Sequence, residues 1–92
     1  MSELDKLAKY LEEKGYNFKR KDKNDSIYPF HSVVVYDDKD NYLWDAICHR
    51  GSYGYEQGLL EIMGTVVDVN AGDSVEGWLT AQEIIDRLEA GM

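Results

Sequence analysis

"HSVVVYDDKDNYLWDAICHR", residues 31–50, reads as a β-hairpin. Its first part, "HSVVVYD" (31–37), is a run of β-branched residues, the composition of a central strand. "DDKDN" (37–41) carries the Asp and Asn side chains that bond their own backbone in turns. "YLWDAICHR" (42–50) then alternates, with Tyr42, Trp44, Ala46 and Cys48 on one face and Leu43, Asp45, Ile47 and His49 on the other. The first set reads as a core face. Two such runs joined by a short polar loop predict an antiparallel pair.

Toward the N-terminus, "YNFKR" predicts a short strand in which Tyr16 and Phe18 alternate with Asn17 and Lys19. The polar segment "KRKDKNDSIYPF" (19–30) reads as a connection, and its cluster "KRKDK" (19–23) as a solvated loop. Before it lies a helix. Leu4, Leu7, Ala8 and Leu11 recur at helical spacing, Ser2 suits the N-cap, and Gly15 suits the left-handed C-cap. Toward the C-terminus, "LLEIMGTVVDV" (59–69) predicts a fourth strand with Gly64 at a bulge or bend, in preference to a helix over 57–63. "NAGDS" (70–74) is a loop. Thr80 to Glu83, T-A-Q-E, is a capping box, with Leu79 and Ile84 as its hydrophobic staple. Ile84, Ile85 and Leu88 point inward, Glu83 and Arg87 are spaced to pair, and Gly91 stops the helix. The expectation is one α+β domain over residues 1–92. Its sheet has about four antiparallel strands, with an N-terminal and a C-terminal helix on one face, in the order α-β-β-β-β-α.

Charge and composition narrow the function. The chain has 92 residues and a net charge of −8. Residues 1–50 are nearly balanced, whereas residues 51–92 carry Arg87 against Glu56, Glu61, Asp68, Asp73, Glu76, Glu83, Asp86 and Glu89. Such a half repels phosphate backbones, which disfavours direct nucleic-acid binding; it serves solubility or, alternatively, meets a basic protein partner. A homodimer is compatible with this. No apolar run reaches the roughly 18 residues that span a bilayer. The N-terminus lacks the pattern of a signal peptide. A single cysteine cannot form an internal disulfide. The expected setting is therefore the cytoplasm, with no membrane contact.

The stretch "HRGSYGYEQGLLEIMG" (49–64) is the compositional oddity. It matches no phosphate-binding glycine pattern, and an acidic flank follows it. Glycine and tyrosine together suit an adaptable contact surface, so Arg50, Tyr53, Tyr55, Glu56 and Gln57 are the candidate binding residues. The other reading makes the tyrosines lids over the sheet. Cys48 and His49 are adjacent on a strand and point to opposite faces, so they cannot form a nucleophilic dyad, and Cys48 reads as a small core residue. Asp45 and His49 share a face but stand roughly 13 Å apart. His31 on the neighbouring strand is placed to approach one of them. These three residues are the alternative, an enzyme or small-ligand site. Two histidines without tight ligand spacing predict no metal, and no cofactor pattern is present.

Four segments, "VVYD" (34–37), "DAIC" (45–48), "GSYGYEQGLLE" (51–61) and "EGWLT" (76–80), resemble those of small uncharacterised proteins from bacteriophages, prophages and Gram-positive bacteria. The resemblance covers roughly residues 31–90. It implies a phage or mobile-element setting and transfers no functional residue. The resulting expectation is a non-enzymatic interaction or accessory factor, in a sharper form an acidic inhibitor of a nucleic-acid-binding protein.

Overall fold

The computed structural model describes residues 2–23, 30–49, 55–66 and 75–91. A helix α1 (Glu3–Glu13) is followed by strands β1 (Asn17–Lys23), β2 (Phe30–Tyr36) and β3 (Tyr42–His49). A 3-10 turn (Tyr55–Gln57), β4 (Leu60–Gly64), β5 (Val75–Leu79) and helix α2 (Ala81–Glu89) complete the described chain. All neighbouring strands are antiparallel, in the order β1-β2-β3-β4-β5, so the sheet is a meander.

The hairpin forms between the two predicted runs, although Tyr42, expected on the core face, is 49% exposed beyond a register shift. Asp37 organises the turn: its carboxylate accepts the Lys39 and Asn41 backbone N–H groups, each at 2.9 Å. Val33 and Val35 of β2, with Trp44 and Ala46 of β3, are buried on one face. Leu60 and Ile62 extend that face across β4. Leu4, Leu7 and Leu11 of α1, together with Ala81 and Ile84 of α2, close over it as a single core. Fully burying each leucine or isoleucine contributes about 1.5–3 kcal/mol. The opposite face carries Val34, Asp45, Ile47, Glu61 and Met63.

Three expectations change. The sheet has five strands, not about four, because residues 75–79 pair with β4. Between Leu60 and Ile62 the partners jump from Leu79 to Glu76, and Trp78 sits at φ 56°. The extra residue erases the two-residue alternation by which a strand is recognised. Residues 19–23 belong to β1, not to a polar loop. Phe18, Arg20 and Asp22 face the helix side while the lysines face solvent, so this edge strand shows little apolar pattern. Finally, Glu83 and Arg87 do not pair. Glu83 is held by the cap it forms with Thr80. Arg87 instead grips Glu76 of β5 through two parallel bonds of 2.8 and 2.6 Å and donates to the Val66 carbonyl at 3.1 Å.

Gly64 is the bend expected at the end of β4. Its φ is +100°, and a Cβ there would lie 2.4 Å from the Leu43 carbonyl oxygen, which accepts the Thr65 N–H at 3.0 Å.

Candidate functional site

Two regions concentrate functional chemistry. One is the outer side of the helix layer. Gln82, Glu83, Asp86 and Glu89 of α2 are all exposed. The three carboxylates recur every third residue, steps of about 4.5 Å along the axis. Each is oriented by an uncharged donor. Thr80 supplies its N–H to Glu83 at 3.1 Å. Gln82 donates to Asp86 at 2.8 Å, and Tyr10 of α1 donates to Glu89 at 2.6 Å. Among the described residues no Lys or Arg forms an ion pair with them. The nearest cation in sequence, Arg87, is turned to Glu76. Glu12 and Glu13 add exposed carboxylates on the neighbouring helix.

The other region is a cavity of about 310 Å³ beneath the start of α1. Ser2, Leu4 and Asp5 line it from the helix, Arg20, His31 and Cys48 from the sheet, and Gly58 and Leu60 from the approach to β4. A chain of charge contacts runs along its wall. Arg20 pairs with Asp5 at 2.7 Å and with Asp22 at 3.0 Å. Asp22 in turn meets His31 Nδ1 at 2.7 Å. The His31 hydrogen bond, seconded by Arg20, holds the Asp22 carboxyl below its ordinary value, although partial burial opposes the shift. Arg20 and the Ser2 cap hold Asp5 down to about 2. Both acids are therefore ionised at neutral pH. Burial pushes the Cys48 thiol up, so it is protonated there.

The residues singled out in the sequence distribute unevenly. Arg50 and Tyr53 lie outside the described residues. Tyr55 opens the 3-10 turn, and Glu56 and Gln57 are exposed on it. His31 does not meet Asp45, because the two lie on opposite faces of the sheet. Asp45 accepts a hydrogen bond from the Tyr42 hydroxyl on the open face. His49 is paired in register with Phe30. Cys48 packs at the margin of the core, as expected, and also borders the cavity.

Asp22 and the pairing of His31 with Cys48 escaped the sequence reading. Tyr36 opposes Tyr42, and a regular hairpin continuing from that pair would set His31 opposite Ile47. A register shift between Val35 and Tyr36 moves the pairing by one, so His31 opposes Cys48. Asp22 was hidden because residues 19–23 read as loop.

Among the described residues, no three His, Cys, Asp or Glu side chains are grouped closely enough to hold a metal ion. No described helix is long and apolar enough to cross a membrane. Comparison with protein-family models, with curated proteins and with solved structures found no match.

Proposed function

We propose that this chain is an interaction factor of phage type. It acts in the cytoplasm and engages a basic protein surface through the acidic side of its helix layer. The supporting observation is the row Glu83, Asp86 and Glu89, which is fixed on a short helix and left without a cationic partner among the described residues. Carboxylates held by neutral donors lose little freedom on binding, so their attraction for a cationic surface is preorganised. A protein that normally accommodates a nucleic-acid backbone offers such a surface, and the row then replaces phosphates.

The test uses capture from host extract with the wild type and with the triple variant Glu83→Gln, Asp86→Asn, Glu89→Gln. Glutamine retains the cap geometry at position 83. The wild type should retain a basic protein at low salt, release it as salt rises, and release it to a competing polyanion. The triple variant should melt like the wild type and retain nothing. Capture indifferent to salt and to the three substitutions overturns this reading.

A further inference from the structure

Three residues on the helix-facing side of the sheet form a row across β1, β2 and β3. Asp22 opposes His31, and His31 opposes Cys48. Directly opposed side chains on antiparallel strands have Cβ atoms about 4.5–5.5 Å apart, which sets the His31 ring between a carboxylate that it bonds and a thiol beside it to which it makes no hydrogen bond in this structure. An ionised carboxylate only accepts, so the 2.7 Å contact is Nδ1–H donating to Asp22. That bond puts a proton on Nδ1, so in the neutral imidazole Nε2 carries the lone pair that a general base requires. The thiol that needs such a base is next in the row, and both His31 and Cys48 line the 310 Å³ cavity.

We propose that this cavity is a thiol acyl-transfer site, with Cys48 as nucleophile, His31 as its base, Asp22 as the residue that positions the imidazole, and a small ester or thioester as acyl donor. Nε2 of His31 takes the thiol proton as Sγ adds to the carbonyl carbon, and the carbonyl π pair moves onto oxygen. Collapse of the tetrahedral adduct expels an alkoxide or thiolate, which recovers the proton from the imidazolium. Acyl-Cys48 and a free alcohol or thiol remain. Water, deprotonated at Nε2, then releases the carboxylic acid and restores the thiol. Arg20 lines the same cavity. Its Nε and Nη1 groups serve Asp22 and Asp5, and its positive charge favours the developing oxyanion. The charged and titratable groups around His31 are Asp5 from α1, Arg20 and Asp22 from β1, and the neutral thiol of Cys48 from β3. The small volume and the leucines at positions 4 and 60 favour a short acyl chain.

The probe is p-nitrophenyl acetate, added to the full chain. A burst of about one equivalent of nitrophenolate followed by slower turnover is expected, with the acetyl group of the burst mapped to Cys48, and Cys48→Ala should abolish both. His31→Gln should slow acetylation at neutral pH by roughly 10²–10⁴-fold, the usual worth of a general base. Its rate should climb only in the alkaline range where the thiol ionises unaided. Asp22→Asn should fall between the two, with the lower limb of its pH profile displaced. Acetylation confined to lysines, or Cys48 acetylation unchanged in His31→Gln, overturns the proposal. If His31→Gln melts well below the wild type, the wild-type pH profile is the criterion instead. A plateau above the imidazole titration supports the site, and a rate rising without a plateau into the alkaline range rules it out. None of these readouts involves a protein partner, so the outcome is independent of the acidic helix layer.

Discussion

Arg87 and Gly64 show how much a single residue carries in so small a domain. The Arg87 guanidinium ties α2 to β5 through paired bonds to Glu76 and reaches the Val66 carbonyl as well. Both side chains of the pair are about four-fifths covered, at 23% and 19% exposure. Arg87→Ala leaves a largely buried carboxylate without this partner, which should cost about 2 kcal/mol. In a domain of this size that lowers the melting temperature by roughly 8–16 °C. Glu83→Gln, by contrast, should barely move the melting curve, since it preserves the cap and breaks no ion pair. Comparable large losses in Glu83→Gln and Arg87→Ala would restore the Glu83–Arg87 pairing. Gly64→Ala meets both a left-handed φ and the Leu43 carbonyl. Its cost should be about 1–3 kcal/mol, read from the urea midpoint.

Elements whose signals are local could be read directly from the sequence. Both helices start at capping boxes, Ser2 with Asp5 and Thr80 with Glu83, in which each side chain answers the other's backbone N–H. Thr80→Ala should therefore cost about 1 kcal/mol, or roughly 4–8 °C, while Thr80→Ser should cost little. Equal melting of all three proteins would remove the cap from the account. The β2–β3 hairpin was legible for the same reason, since Asp37 and Asn41 make their turn with their own neighbours. The strand β5 was not. Its pairing comes from β4, and the bulge at Trp78 breaks its alternation. β1 hid behind its lysines because an edge strand can be apolar on one side only and still be held. The cavity was the least legible feature. Cys48, His31 and Asp22 are remote in sequence, and a one-residue register shift determines that they form a row. Inspection of adjacent residues led to Cys48 with His49, a pair that alternation separates.

Across the whole molecule, protons link these contacts. Glu3, Asp5, Asp22 and Asp37 all have carboxyls held below their ordinary values. Glu3 is lowered first by Lys6 and then by the Ala81 N–H at the start of α2. Asp5 is lowered by Arg20 of β1, so these acids connect the helices to each other and to the sheet. A carboxyl with a depressed folded pKa binds fewer protons in the folded state than in the unfolded state. Its stabilisation is present above the unfolded value and disappears as pH falls through the folded one. The window opens near the ordinary values of 4.5 for Glu3 and 3.8 for the aspartates, and extends to about 2 for Asp5. Above that window the net charge of −8 opposes compaction, and losing it on mild acidification offsets the first protonations. Below it the chain turns cationic and both effects destabilise. At the alkaline end the sign reverses. The phenol of Tyr10 is raised first by its bond to Glu89, and that of Tyr42 first by burial and then by Asp45. A raised phenol stabilises the fold below the unfolded pKa of about 10, and that contribution is lost above it. The urea midpoint should therefore stay nearly level from about pH 5 to 9, fall steeply below about 4, and fall again above about 10. Tyr10→Phe should flatten part of the alkaline limb and leave the acid limb untouched. Asp5→Asn should flatten part of the acid limb and leave the alkaline one. An acid limb that keeps its full slope in Asp5→Asn would mean that the link from α1 to β1 contributes nothing to the pH dependence of folding.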